Sequence, residues 1–340
     1  MKRVLALILS SVMICTAVPG EVMAAEDSVE ELGIDDGEEA LQEATSDEVV
    51  EDNLEIEDES SVDENQILSV DDDQKFDDGS NDGLDAGDFS EEETENRTVI
   101  ANGVENGQVN WAVYDSGELV ISGAGNMTDY DINSLPPWYK YRKDITNVIV
   151  ENDVSSVGSY AFYSLYKLNF ANIKSQCTSI RDHSFENCTK LVSINIPKET
   201  IFIGAYVFAG CSNLARVNIP EGVTSVSDYV FSGCSNLTSV NISESVKSIG
   251  ASAFSGCSSL TSINIPEGVT SIGTSAFSGC SSLTSVNIPG GIRSIDYATF
   301  SECSSLTGIN IPEGVVFIGD ATFSGCSSLT SGPMSRFSTS

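Results

Sequence analysis

Thiols are the most regularly spaced reactive groups in this sequence. Cys188, Cys211, Cys234, Cys257, Cys280, Cys303 and Cys326 recur every 23 residues, and Cys177 stands outside the series. Regularly spaced cysteines could bind zinc or form disulfides. The zinc reading fails because the chain has one histidine and no C-x-x-C pair. The disulfide reading fails on geometry. A 23-residue period that stacks one coil on the next sets them about 4.8 Å apart. Parallel inward side chains then hold their Cβ atoms at a similar distance, beyond the ~3.5–4.5 Å a disulfide uses. Seven is also an odd number. The expectation is a ladder of buried free thiols acting as small hydrophobes.

The single histidine, His183, shares its place in the period with Tyr160, Tyr206 and Tyr229. No serine or cysteine partner follows from the spacing, and no acid–base pair stands out, so no catalytic residue is assigned and no enzyme is expected. Tyrosine presents large contact area at low ordering cost, which makes this stripe a candidate ligand-binding surface. Packing over the neighbouring turn is the plainer alternative. A second stripe is Asn172, Asn195, Asn218, Asn241, Asn264, Asn287 and Asn310. Its members lie between two inward residues and so face outward. An amide ladder supporting the stack and a polar recognition face are compatible readings. Within it, Asn195, Asn218, Asn241 and Asn264 join the tyrosines and His183 as candidate ligand contacts.

Residues 78–85, D-G-S-N-D-G-L-D, match the first half of a calcium loop, with ligand types at positions 1, 3 and 5 and Gly at 6. Position 12 should be a bidentate Glu and is Phe89. The favoured reading is a solvated acidic linker. No metal site and no cofactor are expected.

These side chains are positioned by a repeat. The opening apolar residue recurs at Ile145, Leu168, Leu191, Leu214, Leu237, Leu260, Leu283, Leu306 and Leu329. Residues 145–328 therefore form eight uninterrupted repeats, and a period in this range implies a solenoid. With the opening Leu as position 0, positions 3 and 5 are β-branched in nearly every repeat, as in Ile263 and Ile265, and make a short strand. Proline at position 6 ends that strand in five repeats. Positions 9 and 12 form a second extended stretch. Gly at position 13 reads as a turn. Ala-Phe at 16 and 17 and Cys at 20 read as one helical or 3-10 turn before the next Leu. Seven buried apolar side chains supply roughly 10–20 kcal/mol, whereas ordering 23 residues costs on the order of 23–46 kcal/mol. One repeat alone is unstable, and the units must stack.

Other features surround the repeats. Residues 1–24 carry a basic start, an apolar run and a small residue at the end, as a secretory signal peptide does. A lipoprotein reading of Cys15 is disfavoured by Ile14 where a small residue is expected. Residues 25–97 are acidic: 31 of the 51 acids lie between 26 and 95, with Lys75 the only base there. This segment has too few apolar residues to offset its ordering entropy and is expected to be disordered. Its charge repels phosphate, so no nucleic-acid partner is expected. No membrane span is expected in the mature chain. Residues 98–144 alternate apolar and polar around Asp115-Ser116-Gly117, which predicts a β-hairpin cap. Trp111 and Trp138 are read there as a hydrophobic lid rather than as a platform for a sugar. Residues 329–340 lose the pattern, as a truncated or irregular tail would.

The unit L-x-x-L-x-L-P-x-x-V-x-x-I-G-x-x-A-F-x-x-C-x-x-L resembles the BspA-like, Treponema pallidum-type leucine-rich repeat. The segment W-A-V-Y-D-S-G-E-L-V-I-S-G-A-G-N-M-T-D-Y…P-P-W-Y-K-Y-R is similar to the one that often precedes such arrays. The resemblance implies a mostly β, right-handed leucine-rich repeat solenoid. It also implies an exported surface protein that recognises protein ligands, such as host matrix or cell-surface proteins in adhesion. The alternative is a structural spacer within a larger surface protein. Repeat 1 departs from the unit, with Leu165 in place of Cys.

Overall fold

A computed structural model describes residues 97–174 and 176–330. Residues 1–24, the acidic segment up to Asn96 with its calcium-like loop, and residues 331–340 lie outside the described residues.

The first strands form an antiparallel meander: β1 (Val99–Glu105), β2 (Val109–Tyr114) and β3 (Glu118–Gly123). The expected hairpin is β2–β3. Its turn is closed by Gly117 N–H donating to the Tyr114 carbonyl at 3.0 Å, with Gly117 at φ +83°. β1 was not legible in the sequence. Its Val99, Ile100 and Val104 face solvent while Ala101, Gly103 and Glu105 turn inward, so its apolar residues do not mark the buried face.

Polarity then changes. β4 (Gly125–Asn126) is followed by a 3-10 helix at Pro137–Tyr141, and then by β5 (Asn147–Val150) and β6 (Val154–Val157). β3 pairs with β5 and β4 pairs with β6, both in parallel. The cap is thus a meander on one side and an imitation coil on the other. From β5 onward each coil contributes two short strands, near positions 2–5 and 11–12. They pair in parallel at a register of 23, as in Val148 with Ala171, Val217 with Val240 and Ile249 with Ile272. Alternation sorts the first strand: Val217 and Ile219 are buried and Asn218 between them is exposed. The result is a mostly β solenoid of stacked 23-residue coils.

The third side of each coil corrects the expectation of a helical or 3-10 turn. Positions 15–20 form consecutive turns instead. Residues 15 and 19 have left-handed φ in every coil, for example Tyr206 at +59° and Gly210 at +73°. A helix cannot pass through such residues. What forms is a one-way ladder. The N–H groups of positions 15, 17 and 19 donate to carbonyls 14, 16 and 18 of the next coil. Tyr206 reaches Asp228 at 3.1 Å, Phe208 reaches Val230 at 2.9 Å and Gly210 reaches Ser232 at 2.7 Å.

Position 13 carries a second correction. Gly204, Gly250 and Gly273 are not in the left-handed region. They are glycine because coils touch there: a Cβ on Gly273 would sit 2.6 Å from the Ala251 nitrogen of the preceding coil.

Inside, Phe162, Phe185, Phe208, Phe231, Phe254, Phe277, Phe300 and Phe323 form one column with centroid steps of 5.0–6.0 Å. Trp138 continues it into the cap, 6.3 Å from Phe162 and fully buried. Its Nε1–H donates to the Ala161 carbonyl at 2.8 Å, the place a preceding coil's Phe N–H would occupy. Trp111 packs edge-on against it at 5.8 Å. Both tryptophans are core, as a lid requires.

Candidate binding surface

Position 15 begins the turn side, and its left-handed backbone swings the side chain onto the coil's outer margin. Tyr160, His183, Tyr206 and Tyr229 occupy it in four successive coils. Their rings stack at 4.5, 4.7 and 4.5 Å, within 14° of parallel. The step matches the strand spacing, so in-register aromatics stack without adjustment. Ring faces are spent on one another, and solvent sees edges and hydroxyls of half-buried rings. The packing and binding readings of this stripe therefore coexist. Position 15 of the next coil is Ser252, which leaves the last face, that of Tyr229, without an aromatic neighbour on that side. His183 Nδ1 is hydrogen-bonded to Glu186. Burial, reinforced by the Glu186 carboxylate, pushes the Tyr160 hydroxyl above its ordinary pKa. Burial pushes Tyr206 up as well, with Tyr229, Glu186 and Asp228 adding to it. Both hydroxyls stay neutral donors at physiological pH.

Alongside the stack runs a groove of about 630 Å³ that sequence reasoning did not find. Its floor is the second strand of coils 4–6, with Ser225, Ser248 and Ser271 at position 11. Phe202, half exposed, fills that serine position in coil 3 and stands at one end. Asp182 and Asp228 from position 14 and Asp296 from position 13 line its margin. Asp182 Oδ1 accepts the Ala205 N–H at 2.8 Å and Asp228 Oδ1 accepts the Ala251 N–H at 2.7 Å. The signal available in the sequence was the interruption of the position 11 serines by Phe202, beside acids recurring at position 14.

The asparagines stand elsewhere. Asn195, Asn218 and Asn241 are exposed on the first strand of their coils, Asn264 is exposed just past it, and none lines the groove. Amide-to-amide bonds join Asn195 to Asn172 at 3.0 Å and Asn310 to Asn287 at 3.3 Å. Asn195 also donates to the Ile173 carbonyl, so this column supports the stack. The eight thiols from Cys177 onward are free, and all but the half-buried Cys326 are buried. Among the described residues no group of three His, Cys, Asp or Glu side chains could hold a metal ion, and no helix is long and apolar enough to cross a membrane.

The family profile described as the BspA type leucine rich repeat region matches residues 138–261 and 224–338, with six copies. The chain belongs to this family. The BspA-type coils so matched hold the whole aromatic stack and the groove. No curated protein matches the chain. Among solved structures, this BspA-type chain is similar to the T. pallidum leucine rich repeat protein, at 25% identity over 67% of this chain and 87% of that one, with TM-score 0.42. It is similar to a leucine-rich repeat protein from Eubacterium ventriosum, at 24% identity over 68% and 84%, with TM-score 0.35. A leucine rich cell surface protein from Faecalibacterium prausnitzii matches at 22% identity over 68% and 88%, with TM-score 0.38.

Proposed function

We propose that this BspA-type array is a secreted or cell-surface recognition protein that binds a protein ligand, a host matrix or neighbouring-cell protein, in adhesion. The observation that carries this is the half-exposed stack from Tyr160 to Tyr229 beside the groove. Tyrosine edges with neutral hydroxyls give rigid contact area and donors, the composition of energetic centres in protein interfaces. The stack is confined to coils 1–4, although the backbone is the same in all eight, so folding does not require aromatics at position 15. The leader-like residues 1–24 support export, and the acidic segment suits a spacer that lifts the array from a surface.

The test is binding of the full chain to immobilised matrix proteins and to whole cells. The Tyr206→Ala/Tyr229→Ala variant should lose at least about tenfold in affinity while keeping its circular dichroism spectrum. Tyr206→Phe/Tyr229→Phe keeps the stack and separates the hydroxyls from the rings. Undiminished binding by the alanine variant overturns the assignment to this stripe. No binding to any panel member favours a structural spacer.

A further inference from the structure

We infer that the groove takes an extended, arginine- or lysine-bearing segment of the partner protein; this rests on the recognition role proposed above. Three carboxylates, Asp182, Asp228 and Asp296, line the groove, and no basic residue does. The nearby bases are committed elsewhere. Arg181 is paired with Asp129, and Arg293 donates to the Gly314 carbonyl at the turn of the next coil. The Lys247 ammonium lies over Gly268, at the same turn two coils earlier. The groove's own lining therefore carries negative charge and no positive charge, which attracts a cationic partner.

One aromatic residue of the lining fits the same chemistry. Phe202 offers apolar surface to the methylene stem of a basic side chain. The small floor residues Ser225, Ser248, Gly250 and Gly273 leave room for a backbone to lie flat.

Spacing adds a length. Asp182, Asp228 and Asp296 belong to coils 2, 4 and 7, so they stand two and three coil steps apart, about 10 and 14 Å. An extended peptide rises about 3.3 Å per residue and only alternate side chains share a face, so basic side chains four residues apart, about 13 Å, face the groove together and reach these carboxylates on flexible stems. The chain's own acidic segment cannot be the occupant, since 31 acids and one base would be repelled.

The experiment uses the full chain and fluorescein-labelled Gly/Ser peptides with Arg at residues 1, 5 and 9, read by polarisation. The Arg peptide should bind, the matching Glu peptide should not, and affinity should fall as salt rises. Asp182→Asn/Asp228→Asn/Asp296→Asn keeps the amide acceptors that cap the next coil. It should weaken binding about tenfold, a few-fold per carboxylate. Phe202→Ala should weaken it further. Equal binding by wild type and the triple variant, or no binding at low salt, overturns the inference. If the tyrosine variant loses matrix-protein binding while the Arg peptide never binds, recognition stands and the cationic ligand falls. If the peptide binds but no panel protein does, the groove stands and adhesion falls.

Discussion

The carbonyl of each buried Phe at position 17 accepts two hydrogen bonds. Phe185 receives the Cys188 N–H of its own coil at 3.2 Å and the Cys211 thiol of the next at 3.2 Å. The same thiol contact recurs down the column, from Cys188 to Cys326. Cysteine is thus a hydrophobe with one useful donor, and the odd number of cysteines in the ladder poses no pairing problem. Burial pushes Cys188, Cys257 and Cys303 up to about 12, so these thiols carry almost no thiolate at neutral pH. A thiol reagent at pH 8 should label native protein first at Cys326. After unfolding without reductant it should find eight thiols in a chain lacking residues 1–24; a count near zero would establish disulfides. Sequence spacing was enough for this ladder. It was not enough for positions 15 and 19, where Tyr, His, Ser and Ala adopt left-handed φ. Residue type does not announce that conformation. Only the next coil's carbonyls, which it serves, account for it.

The cap shows how an element can be right in the sequence and incomplete. Trp138 was legible as a lid because a solenoid end needs covering. Its role as the first member of the Phe column depends on a cross-coil hydrogen bond that no local pattern encodes. Strand β1 ends at Glu105, which is 5% exposed. Tyr130 donates its hydroxyl to one carboxylate oxygen, and the other oxygen is buried without a partner. Burial raises this carboxyl to about 7, against a lesser opposing effect from the Thr128 backbone. The folded state therefore holds a proton that the unfolded state has already released above the ordinary carboxylate range. Its contribution to stability is fully present at low pH and is lost as pH rises through about 7. Glu105→Gln should remove that slope, so that wild type loses ground to the variant between about pH 4.5 and 7 in urea unfolding. Parallel profiles would mean that the carboxylate is solvated when charged.

Across the whole molecule, stability follows the aromatic column. Phe254 has a ring on each side at 5.4 Å, whereas Phe323 has Phe300 at 6.0 Å on one side and is partly exposed. Phe254→Ala should cost about 3–5 kcal/mol. Phe323→Ala should cost clearly less, measured as the shift in denaturant midpoint at constant m-value. Equal costs would mean that the last coil is covered as fully as the middle of the column. The period made the stacked architecture legible from sequence, because 23 residues cannot fold alone. The groove was illegible because its walls come from residues 46 and 68 apart in sequence, Asp182, Asp228 and Asp296, which only stacking brings onto one line.

The one-way ladder of positions 15, 17 and 19 gives every coil an acceptor row on one end and a matching donor row on the other. Any two coils can therefore be joined in frame, and the number of coils between two side chains can change without breaking the backbone network. Loss of residues 260–282 would take Ser271, Gly273 and Thr274 out of the groove and bring Asp228 and Asp296 one step closer, by about 4.8 Å. The solenoid then works as a ruler, graduated in coils, on which whole-repeat duplication or deletion resets the distance between charges.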